Sequence, residues 1–198
     1  MGKVSAGFSM SVDGFIAGPG DDVSRLFAWM SLGDTDLNVS SGDTAFELQM
    51  SQEDAENYQA QMSQIGAIVS GRGMFDTAGA WGGKHPMGVP VFVVTHQIPA
   101  EWAYEGSSFT FVTDGVKAAI EKARQIAGEK AIGVGGADIT RQCLKLGLLD
   151  ELGIDLVPVL LGRGVRLFEY LGIEPVELEP TGVSQAPGVI HLGFRVRK

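Results

Sequence analysis

The chain predicts a three-layer α/β sandwich built on a mixed, mainly parallel sheet. Short apolar strands alternate with amphipathic helices along most of residues 1–198. Glycines stand where several strands give way to helices. The last two strands have no helix between them, so they are expected to form an antiparallel pair at one side of the sheet.

Val4, Ala6, Phe8 and Met10 alternate with Ser5, Gly7, Ser9 and Ser11, the period of two of a strand. Asp13-Gly14 marks a turn, Phe15–Ala17 follows, and Gly18-Pro19-Gly20 breaks the chain. From Asp21 to Met50 the periodicity is poor. Arg25–Met30 predicts a short helix and Ser31–Asp43 a loop, an irregular stretch of the kind that serves as a lid or an insertion. Gln52–Gln64 predicts a helix capped by Ser51, with Asp54 three residues on. Ala55, Tyr58, Met62 and Ile65 share one face, and Gly66 stops it. Strands are expected at Ala67–Ser70, Val89–Thr95 and Phe109–Val112, with Pro90 near a strand start, where it is tolerated. Asp114 can cap a helix whose core face holds Ala119, Ile120, Ala123 and Ile126 and which Gly128 ends. Lys130–Val134 is a strand that runs into Gly135-Gly136 and then a helix to about Leu146. Leu152–Leu161 reads as a long strand whose Pro158 implies an edge or a bulge. In the last strand Ile190, Leu192, Phe194 and Val196 alternate with His191, Gly193, Arg195 and Arg197, which places His191 on the less apolar face, at the surface.

Bulk composition narrows the function. At 44% apolar and 20% charged residues, without repeats or linkers, 198 residues suit one domain over 1–198 with a sizeable core. No apolar run approaches the ~20 residues of a membrane span. No basic segment followed by an apolar one opens the chain, so the expected location is cytoplasmic. The single cysteine, Cys143, excludes an intramolecular disulfide and a cysteine-rich zinc site. Its apolar helical surroundings make it a core residue, and no metal site is expected. A formal charge of −9 and the lack of a basic run argue against a nucleic-acid partner. They leave room for an anionic cofactor, because a phosphate needs only a local pocket of N–H groups and one or two cations.

Three strand ends carry groups suited to a phosphate. In Ile132-Gly133-Val134-Gly135-Gly136-Ala137-Asp138-Ile139 a strand ends in paired glycines and a helix begins, which lets backbone N–H groups approach a pyrophosphate closely. Glycines at such junctions also serve as plain turns, and the Rossmann pattern is absent, because the third glycine is missing and no ribose-binding acid follows. Ile68-Val69-Ser70-Gly71-Arg72-Gly73 ends a second strand with a guanidinium that can clamp a phosphate or lie at a surface turn. Val91–Val94 ends in Thr95 and His96. A parallel sheet brings all three ends to one edge.

Together these segments resemble the dihydrofolate reductase superfamily, and within it the reductase domain of riboflavin-biosynthesis enzymes and its stand-alone relatives. Ser9–Ala17 is similar to the family's first strand and turn, and Ser70-Gly71-Arg72 to its Gly-Arg cofactor motif. Asp150-Glu151-Leu152 through Val157-Pro158-Val159-Leu160-Leu161-Gly162-Arg163-Gly164 and Leu167-Phe168 is similar to the riboflavin-type branch. The resemblance implies a dihydrofolate reductase-like fold, an NADPH cofactor and a homodimer, for which the long apolar Leu152–Leu161 strand is the expected pairing edge. It implies that Ile16 and Ala17 line the nicotinamide. Gly71, Arg72, Thr95 and His96 would hold the adenosine end and its 2′-phosphate. Val134, Gly135, Gly136, Ala137, Asp138 and Ile139 would cradle the pyrophosphate, with the glycine pair joined by a cis peptide as in the family.

The expected activity is NADPH-dependent reduction of a small heterocycle, first an aminopyrimidine ribosyl phosphate of riboflavin biosynthesis. Alternatives are dihydrofolate reduction and NADP binding without catalysis. No catalytic residue is assigned. Dihydrofolate reduction needs a buried carboxylate, and none aligns: Asp21, Asp22, Asp34, Asp36 and Asp43 read as solvated loop residues. The zinc-dependent deaminase partner of the bifunctional riboflavin enzyme is absent, because one cysteine cannot build its site. Lys84, Arg163 and Arg166 are the cations placed to meet a substrate phosphate, though each also reads as a surface charge. His85 and Trp81 lie in the loop Gly79–Gly88, expected to be exposed with one packed aromatic.

Overall fold

The computed structural model of the chain describes residues 2–41 and 44–198. In chain order it contains β1 (Val4–Ser11), β2 (Phe15–Ala17), α1 (Ser24–Phe27), β3 (Thr35–Ser41), β4 (Thr44–Met50), α2 (Gln52–Gln64), β5 (Ile65–Gly71), α3 (Arg72–Thr77), β6 (Val91–Val94) and β7 (Phe109–Val112). There follow α4 (Gly115–Ala127), β8 (Ala131–Gly135), α5 (Ala137–Lys145), β9 (Glu151–Val157), β10 (Val165–Arg166), β11 (Leu178–Ala186) and β12 (Val189–Val196). The central sheet has the order β11-β12-β9-β1-β8-β5-β6-β7. Every pairing from β9 to β7 is parallel, while β12 runs antiparallel to both β9 and β11. This is the mixed, mainly parallel sheet expected, with the antiparallel pair at one side.

Helices cover both faces. On one, α4 and α5 bury Ala119, Ile120, Ala123, Ile139 and Cys143 against Ala67, Val69, Ile132 and Val134. Full burial of a side chain such as Ile120 contributes about 1.5–3 kcal/mol. Burial also pushes the Cys143 thiol up to about 12, only partly opposed by Arg124, so it is an unreactive core group. On the opposite face Phe75 of α3 packs edge-on against Trp81, Trp102, Phe109 and Phe111, over the strand residues Ile68, Val91 and Val93. A neighbouring cluster joins Leu26, Trp29, Leu37, Val39, Met50 and Ala55 to Val157 and Val189.

Several local expectations are corrected. Residues 21–50 are not a loop after a short helix: α1 and a 3-10 turn at Ala28–Ser31 lead into the antiparallel hairpin β3–β4. Asp21, Asp22, Asp34 and Asp36 are exposed as expected, and Asp43 lies outside the described residues. The Leu152–Leu161 strand ends at Val157, because Pro158 has no N–H for the ladder. It is not an edge, since β1 and β12 flank it. Asp114 precedes α4 without a capping hydrogen bond, and Ile126 is 61% exposed, one position off the apolar stripe. By contrast Ser51 caps α2 as expected, its Oγ accepting from the Asp54 N–H at 3.1 Å.

Asp13 ties the first strand to the segment after β9. Its carboxylate accepts from the Ser11 hydroxyl (2.6 Å) and from the N–H groups of Leu161 (3.1 Å) and Gly162 (2.7 Å). Arg166 donates to the Asp13 carbonyl at 3.0 Å and lies 4.3 Å from the Phe15 ring centre. These contacts seat β10 against β2. The hydrogen bonds, that from Ser11 foremost, hold the Asp13 carboxyl down to about 2 from an ordinary 3.8. A carboxyl depressed on folding adds stability above its unfolded value and loses it as pH falls toward the folded one. Asp13→Asn should therefore melt below wild type above pH 3.8, the two converging by about pH 2. Thermal melts of both proteins across that range check this.

Candidate functional site

The C-terminal ends of β1, β8, β5 and β6 lie side by side, because these four neighbours are parallel. The register sets Gly135 opposite Ser70 and Gly71 opposite Val94. The structure thus brings Gly71, Arg72, Thr95, His96 and the glycine pair to one sheet edge. Ile16 and Ala17 lie on β2, just past the end of β1. Gly164 packs against Ala17 and Gly18 so tightly that a Cβ there would stand 2.0 Å from the Ala17 oxygen.

At the centre of that edge the chain reverses through Gly136, at φ 90°. The described residues contain no cis peptide, so the expected cis Gly135–Gly136 bond is trans, and the left-handed Gly136 makes the reversal. A Cβ on Gly135 would approach Met74 Sδ to 2.8 Å. Gly136 is therefore held to glycine by its backbone, while a side chain on Gly135 would require Met74 to move; the pair leaves backbone exposed before the first turn of α5, where helix geometry leaves N–H groups without intrahelical partners. Val134, Ala137 and Ile139 are buried in the core and shape this turn from behind. Asp138 is exposed and accepts from Gln142 Nε2 at 2.7 Å.

Arg72 and Thr95 converge on one carbonyl. Arg72 Nη1 and Thr95 Oγ1 both donate to the Gln97 oxygen, at 3.1 and 2.8 Å, while Arg72 Nε donates to the Asp76 carboxylate at 2.7 Å. The guanidinium is thereby oriented at the end of β5, beside exposed His96. This edge suits a dinucleotide phosphate: a glycine cradle with free backbone, a helix start and a fixed cation lie together.

A second concavity lies on the sheet face beneath α2. Gly7, Gly153, Gly193 and Gly182 stand opposite one another on β1, β9, β12 and β11, forming a strip without side chains. With strands about 4.8 Å apart it is about 14 Å wide. Two residues along on the same face, a second rung carries Ser9, Asp155, His191 and Ser184. Together with α2 these rungs enclose a groove of about 450 Å³. Asp54, Asn57, Tyr58 and Gln61 of α2 line the other wall, as their i, i+3, i+4, i+7 spacing requires.

His191 is therefore half-buried in this groove rather than exposed on the surface. Its Nδ1 lies 2.7 Å from Asp155 Oδ1, and its buried Nε2 faces Asp54 Oδ1 at 3.2 Å, outside hydrogen-bond geometry. Trp29 meets the imidazole edge-on at 5.3 Å and donates from Nε1 to Ser9 Oγ at 3.1 Å. Burial pushes the Asp155 carboxyl up from its ordinary value; His191 opposes this and Asp54 adds to it. Sequence reasoning missed Asp155 altogether and treated Asp54 only as part of a helix cap. Asp54 is 9% exposed, a nearly buried carboxylate outside the residues 21–43 where the sequence was searched for one.

Other candidates have structural roles. Arg166 is spent on Asp13 and Phe15. The Gly79–Gly88 loop is partly exposed with Trp81 packed, as expected, but His85 is half-buried: it packs 4.6 Å from Trp81 and accepts from the Met87 N–H, and burial pulls it down to about 4. Arg163 is exposed, and so is Lys84. Among the described residues no group of three or more His, Cys, Asp or Glu is arranged to hold a metal, and no helix is long and apolar enough to cross a membrane.

The cradle makes a stability prediction. Gly136→Ala places a Cβ at φ 90°, which should cost about 1–2 kcal/mol. Gly20→Ala, also at positive φ but in an open turn with nothing within 4 Å, provides the comparison for backbone strain alone. Denaturant unfolding measures both, and only the Gly136 variant should show the strain of a reversal packed against Met74.

Comparison with known proteins agrees with this architecture. The crystal structure of a putative riboflavin biosynthesis protein from Shewanella sp. PV-4 superposes with a TM-score of 0.76 at 20% identity, covering 99% of both chains. Dihydrofolate reductase from Enterococcus faecalis, solved in complex with NADP(H), superposes with a TM-score of 0.53 at 14% identity over 99% of this chain and 97% of that one. The fold is therefore dihydrofolate reductase-like. A curated relative, the uncharacterized protein YwjB of Bacillus subtilis (strain 168), is 29% identical over 92 residues, 46% of this chain and 52% of its own length. Residues 2–192 match the RibD C-terminal domain, and the chain belongs to that family.

Proposed function

We propose that the chain is an NADPH-dependent reductase of a small heterocycle, first an aminopyrimidine ribosyl phosphate of the riboflavin pathway. The observation that carries this reading is the gathering of four parallel strand ends around the Gly135-Gly136 cradle, between Arg72 on one side and β2 on the other. In this reading the N–H groups at the start of α5 bind the pyrophosphate. Arg72 offers Nη2 to the 2′-phosphate while Asp76 and Gln97 hold its other nitrogens, and Thr95 and His96 border the adenosine. Ile16 and Ala17 form the wall against which the nicotinamide lies. The bound cofactor supplies hydride; the protein supplies position and exclusion of water. The chain's membership of the RibD C-terminal domain family supports the pathway.

Asp54 gives the dihydrofolate alternative a specific footing, since it is a nearly buried carboxylate beside a groove. NADPH oxidation measured side by side with the aminopyrimidine and with dihydrofolate ranks the two. Binding of NADPH with no oxidation by either would favour a non-catalytic NADP-binding protein.

Arg72→Ala should lower NADPH affinity by about ten- to a hundredfold, 1.5–3 kcal/mol, and leave NADH affinity nearly unchanged. Titration of both cofactors against wild type and variant tests this. Equal affinity of wild type for NADPH and NADH would overturn the assignment.

The homodimer belongs, in this reading, to β11 rather than β9. β11 is the open edge beside β12 and exposes Val183. Light scattering at micromolar concentration should report twice the 21.0 kDa chain mass, and a charge placed at Val183 should lower it to one.

A further inference from the structure

The end of the sheet opposite Gly135-Gly136 gathers positive charge. Lys3 precedes β1, Asp150 and Glu151 stand at the start of β9, and Arg195–Lys198 close β12. Because β1 and β9 are parallel and β12 is antiparallel to β9, these three segments meet at one end. The Asp150 N–H donates to the Val4 oxygen at 2.8 Å and the Val196 N–H to the Asp150 oxygen at 2.9 Å, which fixes their spacing. Arg124 reaches the same place from the last turn of α4. Together they line a cavity of about 670 Å³. Five cations, Lys3, Arg124, Arg195, Arg197 and Lys198, stand there against two carboxylates. A third of the chain's 15 lysines and arginines thus surrounds one cavity of a molecule whose net charge is −9.

Both carboxylates are already satisfied. Glu151 pairs with Lys3, and Asp150 accepts from the Val4 N–H at 2.8 Å and from Lys198 Nζ at 2.6 Å. Arg195 pairs with Glu179 at 3.2 Å. Arg124 and Arg197 are left over: among the described residues neither guanidinium enters an ion pair. Arg124 Nε is moreover buried and has no hydrogen-bond partner. A cation in the last turn of a helix gains from the dipole while exposed, so that role gives no reason to bury it. An ionised donor held out of water without an acceptor is costly, and a ligand oxygen would remove that cost.

We propose that this cavity binds a compact phosphate dianion, inorganic or carried by a small ester, between the guanidiniums of Arg124 and Arg197, with Lys3 and Lys198 at its rim. Guanidiniums present paired planar donors that match phosphoryl oxygens. Two unpaired cations call for two negative charges, which one phosphate supplies and one carboxylate does not. A long polyanion is disfavoured, because Glu177 and Glu179 are exposed just beyond Arg197 and Arg195 and the molecule as a whole is acidic. The site lies away from the Gly135-Gly136 edge by the length of β1, eight residues or about 26 Å. An anion seated here joins the start of β1, the start of β9, the end of β12 and the end of α4. It therefore stabilises the folded chain by mass action, since the unfolded chain does not hold these segments together.

The test titrates the whole chain with inorganic phosphate and with ribose 5-phosphate at constant ionic strength, sodium chloride serving as the control. Either phosphate should raise the melting temperature where chloride does not. In amide NMR spectra the shifts should gather at Lys3, Asp150, Glu151 and Arg197, and Arg72→Ala should leave them in place. Arg197→Gln, at an exposed position, should keep the fold by circular dichroism and weaken phosphate binding about tenfold or more. Arg124→Met should do the same and, without phosphate, melt no lower than wild type, because it removes a buried donor that has no partner. Tighter binding of the ester would identify an organic phosphate as the occupant, and tighter binding of the inorganic ion a free one. Equal stabilisation by chloride, shifts confined to Gly135–Ile139, or undiminished affinity in both arginine variants would overturn the proposal. A lower melting temperature of Arg124→Met with unchanged phosphate affinity would assign Arg124 to the end of α4 alone and overturn its part in the site.

Discussion

β1 holds the structure together because it sits between β8 and β9, two strands from the far half of the chain. Val4 stands opposite Ile132 on one side, and Ala6 opposite Leu152 on the other. Its register is set from both sides, and a slip of one residue would exchange its two faces. Those faces do different work. Val4 and Ala6 enter the main core, whereas Gly7 and Ser9 form the end of the groove rungs. Its C-terminal end then carries the Ser11–Asp13 network that seats Leu161 and Gly162. The sheet edge around Gly135-Gly136 and the groove are thus positioned by one eight-residue strand.

That dependence explains which parts were legible in the sequence. Gln52–Gln64 was readable because its start and stop are local: Ser51 caps it and Gly66 follows it. Phe109–Val112 and the Gly135-Gly136 junction were readable for the same reason. The hairpin of residues 35–50 was not, because its strands pair only with each other and bury a few alternate positions, so period two is weak there. Leu152–Leu161 looked like an edge because Pro158 was weighed alone; the long-range pairing with β1 and β12 decides the strand's place, and Pro158 merely ends it.

The groove was half visible. The alternation of His191 and Gly193 with Ile190 and Leu192 was correct, but a polar face of a strand was equated with solvent. Whether such a face meets water or a helix depends on what crosses it, and α2 crosses it from a distance in sequence of more than a hundred residues. Asp54 and Asp155 were invisible for the same reason: each is an ordinary acid locally, and only the register Asp155↔His191 and the placement of α2 bring them to one imidazole.

The small cluster that joins Trp29, Leu37, Val39, Met50 and Ala55 to Val157 and Val189 stands apart from the main core, and it carries the roof of the groove. A satellite core of this size is held by far less apolar burial than the sheet below it. By that difference in burial it should open ahead of the sheet in native-state amide exchange, as a sub-global unit. One wall of the groove can then loosen while the eight-stranded sheet stays intact.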